Sequence, residues 1–254
     1  MPVIDVPDPE FMADEEIAVF RDAVGKFFDQ HAPEKRVEKW REDGMVERAF
    51  WEEAGAAGLL GMTVPEEYGG HGGDFRHDLV VLDQQAAKGV DGFAASLHNV
   101  IILPYIVRHG TEEQKKRWLP RLVTGEYISA IAMTEPGVGS DLQSVATTAV
   151  REGNGYRLNG AKTFISSGQL ANFVVVVAKT DPKERAKGIS LLCLETDGPR
   201  ASAAARSSTR SAWTPPTPAS CSSTMCSCPP TICWAARRAR ASTSSWASCR
   251  RSGW

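Results

Sequence analysis

The stretch AMTEPGVGSDLQS, residues 132–144, lies where the period of the sequence changes. Before it, apolar residues recur at helical spacing; after it, they alternate or gather in short β-rich runs. The junction therefore decides an α+β class, helices first and strands second, over an alternating parallel sheet. The stretch itself reads as a loop, because Pro136, Gly137 and Gly139 interrupt any regular element. Thr134 and Ser140 offer hydroxyls, and the glycines leave backbone N–H groups approachable because no Cβ stands in the way. Such a loop suits a planar or phosphorylated ligand, and it suits a plain turn as well.

Upstream, EEIAVFRDAVGKFFDQH places Ile17, Phe20, Val24, Phe27 and Phe28 on one face, and Pro33 ends the pattern. A second apolar stripe runs through VERAFWEEAGAAGLLGM, and the Gly- and Pro-rich VPEEYGGHGGD after it is a surface loop. DLVVLDQQAAKG and GFAASLHNVIILPYIVRHG predict two further helices, the latter apolar enough to be central. Thr111 and Gln114 stand at capping-box spacing and start another. His98, alone among core positions, is read as structural and is given no chemistry. The charged run GTEEQKKR is read as a solvated helix start. These elements make residues 1–125 an N-terminal helical domain.

Downstream, YISAIAM, SVATTAVRE, GYRLNG, AKTFISS, NFVVVVAKT and GISLLCLET are strand candidates separated by GNG, NG and SG turns. They predict a β-domain over residues 126–199.

With 29 basic and 31 acidic side chains, the balance suggests no nucleic-acid and no membrane partner. The opening MPVIDVPDPEFMADEE is acidic and has neither a secretory nor a transit-peptide plan, and no apolar run reaches membrane-spanning length; a cytoplasmic location is expected. The average conceals a break near residue 200. Residues 200–254 hold eight Arg and no Asp, Glu or Lys, which leaves 21 basic against 31 acidic groups in residues 1–199. The same tail carries five of the six cysteines and four of the seven tryptophans, yet not one Leu, Val, Phe or Tyr. So few aliphatic side chains cannot offset the entropy of ordering the segment, and no regular structure is expected there.

AMTEPGVGSDLQS resembles the signature of acyl-CoA dehydrogenases. The likeness extends from about residue 10 to 199 through WEEAGAAGLLGMTVPEEYGG, LPYIVRHGTEEQKKRWLPRLVTGE and NGAKTFISSG. HNVIILPYIVRHGTEEQ and IAMTEPGVGSDLQSV bring it nearest to the long-chain type. The resemblance implies FAD as cofactor, with Ile131, Met133, Thr134, Gly139 and Ser140 bordering the isoalloxazine ring. Thr134 would hydrogen-bond the ring's polar edge, and Ser140 would lie near the acyl-CoA thioester. Phe164, Ile165 and Ser166 would supply the ring's other contacts, with the Ser166 hydroxyl beside the nitrogen that accepts hydride. Fixed donors at the pyrimidine edge favour the negative charge of reduced flavin.

Family members take the α-proton of a fatty acyl-CoA with a Glu while the β-hydrogen leaves as hydride. That Glu belongs to a C-terminal helical domain not recognisable here, so no catalytic residue is assigned. The family also implies an electron-transferring flavoprotein as acceptor and a homo-oligomer, a tetramer in relatives. An acyl-CoA oxidase or flavin monooxygenase on the same scaffold, or a non-enzymatic protein with a basic tail that binds an acidic partner, are the alternatives.

Cys221, Cys226, Cys228 and Cys233 do not follow paired metal-knuckle spacing and have no His beside them, so no metal site is expected. Reading the tail one base out of frame accounts for its composition instead. Where one codon is fixed, the alternative residue is forced: Trp213 with Thr214 gives Asp, Met225 with Cys226 gives Val, Cys233 with Trp234 gives Leu, and Trp234 with Ala235 gives Gly. The rewritten tail resembles the segment C-terminal to the β-region in long-chain-type members. The expectation is a frame shift near residues 198–200, an incomplete β-domain with open strand edges, and an inactive chain.

Overall fold

The structure is a computed structural model that describes residues 9–152 and 155–195, together with the backbone of 220–227. Two compact units meet in sequence at Ile128 and Ser129.

The first unit is helical. α1, Glu15–His31, buries Ile17, Val24, Phe27 and Phe28 at the spacing of one helical face, and Pro33 closes it. α2, Glu34–Asp43, was not expected, because its run of charges contains only Val37 and Trp40 as buried apolar residues. Gly44, at φ 70°, ends it in the left-handed region where glycine carries no Cβ penalty. α3, Arg48–Ala56, inserts Phe50 and Trp51 fully into the core. The ring of Phe50 lies 4.8 Å from that of Trp40 and 5.0 Å from that of Phe93, at the tilted and edge-on angles aromatic quadrupoles favour.

α4, Phe75–Ala87, begins at a capping box formed by Asp74 and His77. The expected central helix is divided: Ser96–Ile102 is wound as a π-helix and passes into α5, Leu103–His109. The wider turn carries two buried polar side chains, each satisfied by backbone. Asn99 accepts from Gly61 N at 3.2 Å and donates to Leu59 O at 2.9 Å, and His98 Nε2 lies 3.0 Å from Leu122 O. His98 is fully buried beside the Trp51 ring. α6, Glu112–Val123, has the capping box expected at its start, with Gln114 N donating to Thr111 Oγ1 and Thr111 N to Gln114 Oε1.

The second unit is a sheet. β1 (Ser129–Ala132), β2 (Thr148–Glu152), β3 (Gly155–Thr163), β4 (Phe173–Lys179) and β5 (Ile189–Glu195) follow the expected order, GYRLNG and AKT joining into the single strand β3. β5 pairs antiparallel with all of β4. Along the other edge of β4, β1 pairs parallel with Phe173–Val176 and β2 meets it at Lys179. β1 and β2 thus occupy one strand line, end to end, and residues 133–147 are an excursion that leaves the sheet and returns to it. β2 pairs antiparallel with β3. Ala132, Ala149, Leu158, Val176, Ala178 and Leu192 form the core cluster beneath.

Inside the segment expected to lack regular structure, Ser220–Ser227 forms β6, antiparallel to β3 from Arg157 to Thr163. The β3 edge, expected to be open, is therefore paired. An edge strand's unmet N–H and C=O groups recruit whatever backbone is near, and a segment poor in aliphatic side chains can meet that demand. The side chains of the cysteine-rich stretch and the site of the proposed frame shift lie outside the described residues.

Candidate functional site

The excursion between β1 and β2 holds the residues singled out from sequence. It opens with a tight turn in which Glu135 and Val138 exchange backbone hydrogen bonds, each at 3.0 Å. The end of β3 runs alongside, and Thr163 N donates to Thr134 O at 2.9 Å.

A buried ion pair fixes this junction. Glu135 and Lys162 keep only 4% and 8% of their side chains accessible, and Lys162 Nζ lies 2.9 Å from Glu135 Oε1. The same oxygen accepts from Thr147 Oγ1 at 2.6 Å and Thr147 N at 3.0 Å, and Oε2 accepts from Ala146 N at 2.6 Å. Lys162 also donates to Met133 O at 3.0 Å. One carboxylate thereby joins the start of the excursion, its return and the neighbouring strand. Burial works to raise the Glu135 carboxyl, but the donors from Thr147, Ala146 and Lys162 outweigh it and bring it down to about 2. Burial pulls Lys162 below the ordinary lysine range, against the opposing attraction of Glu135.

Ile131 lies in β1 and is partly exposed; Met133 and Thr134 are half-buried and present their carbonyls to the junction. Gly139 and Ser140 lie on the exposed arm of the excursion. Phe164 is 58% exposed with φ 57°, a conformation unfavourable for a bulky side chain. Ser167 is also at positive φ, 58°, so the turn after β3 holds strain at two non-glycine positions. Strain of this kind clusters at ligand sites, where surrounding structure enforces it. Ile165 packs against the core cluster, whereas Ser166 is exposed. The junction thus brings Met133 and Thr134 next to the 162–164 segment and leaves Gly139 and Ser140 outside it.

The cradle fits a planar polar group. No atom lies within 4 Å of where a Cβ would stand on Gly137 or Gly139. The Thr163 hydroxyl is buried with no hydrogen-bond partner among the described residues. Phe164, next in sequence to Thr163, exposes its aromatic side chain. Among the described residues no group of His, Cys, Asp and Glu could hold a metal ion.

Glu135, Thr147 and Lys162 were not anticipated from sequence. Leu158, Gly160 and Lys162 share one face of β3, and Leu158 on that face is buried. A lysine on the core side of a strand was the available signal, because such a charge requires a buried partner.

A helical unit followed by a sheet unit is the arrangement this chain shares with solved acyl-CoA dehydrogenases. The acyl-CoA dehydrogenase of Geobacillus kaustophilus superposes with a TM-score of 0.70 at 46% identity, over 72% of this chain and 49% of that one. A glutaryl-CoA dehydrogenase from Mycobacterium smegmatis, solved in complex with FADH2, gives a TM-score of 0.66 at 31% identity over 75% of this chain and 48% of that one. Sequence models of the N-terminal and middle domains of acyl-CoA dehydrogenases match residues 14–126 and 130–215. The chain belongs to the acyl-CoA dehydrogenase family. The mitochondrial long-chain specific acyl-CoA dehydrogenase of Sus scrofa is 45% identical over 179 residues, 70% of this chain and 41% of that protein. The chain therefore spans about two fifths of the length of the curated relatives it matches.

Proposed function

We propose that the chain carries part of the flavin site of an FAD-dependent acyl-CoA dehydrogenase that introduces the α,β double bond into fatty acyl-CoA thioesters. The observation that carries this reading is the junction of the 133–147 excursion with the strained turn after β3, an open polar cradle where the family signature falls. Thr134 and Ser166 donate hydrogen bonds to the isoalloxazine ring, Phe164 covers it, and Ile131, Met133 and Gly139 border it. Ile165 contributes backbone, since its side chain serves the core. Ser140 lies toward the thioester.

When bound, FAD supplies the acceptor for the β-hydrogen. Glu135 is not the base for the α-proton. With its carboxyl near 2 and four donors upon it, it is poorly matched to proton abstraction near neutral pH.

The same reading makes residues 200–254 a product of the shifted frame, the chain inactive by itself, the location cytoplasmic, and electron-transferring flavoprotein the acceptor of the intact enzyme. Titration of the purified chain with FAD, followed by flavin fluorescence, tests it. Weak saturable binding and no acyl-CoA-dependent reduction of an artificial acceptor are expected. Absence of any binding overturns the flavin assignment, and a stoichiometric yellow complex that turns over overturns the inactivity.

A further inference from the structure

An ion pair as buried as Glu135 with Lys162 is an expensive way to hold a loop. Desolvating both charges opposes folding strongly, and apolar residues of similar volume often stabilise as well or better. What apolar residues cannot supply is directional contact with three backbone segments at once. Glu135 takes four donors, two of them the Ala146 and Thr147 N–H groups at the point where the chain re-enters the strand line. Lys162 reaches back to Met133 O, the first carbonyl beyond β1. The pair therefore spans the mouth of the excursion and ties it to the residue directly before Thr163 and the strained Phe164.

We infer that Glu135 and Lys162 are a positioning pair for the flavin cradle, setting the separation between the 133–140 loop and the 163–166 turn. Neither side chain reaches the ligand; each acts through the backbone it holds. The inference rests on the flavin reading above. A scaffold that merely needed closing would be closed equally well by a neutral pair, whereas a cradle that needs a fixed spacing would not.

The test is E135Q, K162M and the double variant E135Q/K162M in the full chain, read by FAD fluorescence titration, by thermal melting without ligand, and by amide exchange of residues 133–140 and 163–168. Each single variant leaves one buried charge unpaired and should melt lower than the parent. The double variant should regain most of that loss, yet bind FAD about tenfold or more weakly and exchange faster in both segments, because misplaced binding groups cost affinity even when the scaffold is intact. A double variant with parental FAD affinity and parental exchange overturns the inference alone. Failure of the unsubstituted chain to bind FAD overturns the flavin reading and the inference with it.

Discussion

Two buried titratable side chains in the helical unit oppose each other across the same pH range. Asp78, 2% exposed, has a carboxyl pushed up to about 6 by burial, and its Oδ1 has no hydrogen-bond partner among the described residues. Because the folded state holds this proton more tightly than the unfolded chain, whose value is 3.8, Asp78 costs nothing below that pH. Its penalty grows as pH rises and is complete above about 6. His98 behaves in the opposite sense. Burial lowers it to about 4 from 6.5, so it costs nothing above 6.5 and its penalty is complete below about 4. Between about 4 and 6 the two slopes partly cancel. Asp78→Asn removes one of them. The variant is expected to gain stability steadily from pH 4 to 6.5 and to exceed the parent by on the order of 1 to 3 kcal/mol at pH 7. Urea unfolding followed by far-UV circular dichroism across that range checks it, and an unchanged pH profile would contradict the assignment of Asp78.

At the scale of elements, β3 approaches the return end of the excursion closely. A Cβ placed on Gly160 would stand 2.3 Å from Thr147 Oγ1 and 2.7 Å from Thr147 Cα, closer than real contacts allow. Thr147 in turn is hydrogen-bonded to Glu135, so a methyl group at position 160 would press on the buried pair. Gly160→Ala should destabilise the sheet unit by about 1 to 3 kcal/mol, the usual cost of overpacking. Gly137→Ala, where a Cβ meets nothing within 4 Å, should lie within about 0.5 kcal/mol of the parent. Equal effects in denaturant unfolding would remove the close approach as the cause.

The same elements show what the sequence discloses. α1, the Thr111 capping box and the strands are legible because periodicity and turn chemistry act locally. α2 escapes because two apolar residues among eight charged ones give no stripe, although Val37 and Trp40 both reach the core. The collinearity of β1 and β2 escapes for a different reason: it is a property of their shared partner β4, and no local pattern encodes which strands pair. Glu135 and Lys162 stand 27 positions apart, so the core-side register of Lys162 calls for a buried partner without saying which acid supplies it. The motif residues were legible through resemblance, whereas the pair that holds their backbone was not.

For the whole molecule, the decisive feature is the discontinuity in composition. Residues 1–199 carry 21 basic and 31 acidic groups, and residues 200–254 carry eight Arg with no acid at all. On the frame-shift reading proposed above, one base gained or lost near the codons for 198–200 would account for the missing acids, the gathered cysteines and the absent aliphatic residues together. It also makes a defined prediction, since the forced alternative codons place Asp, Val, Leu and Gly at fixed points of the rewritten tail. Resequencing the gene across the codons for residues 190–210 should reveal the shift. Expression from a gene with the frame restored should yield a yellow protein with tightly bound FAD, reducing an artificial acceptor when given fatty acyl-CoA. Peroxide release in place of acceptor reduction would assign an oxidase on the same scaffold. Peptides matching residues 200–254 as written, recovered by mass spectrometry from cells carrying the unaltered gene with no base missing or added, would refute the frame shift and leave β6 as a native strand of the sheet.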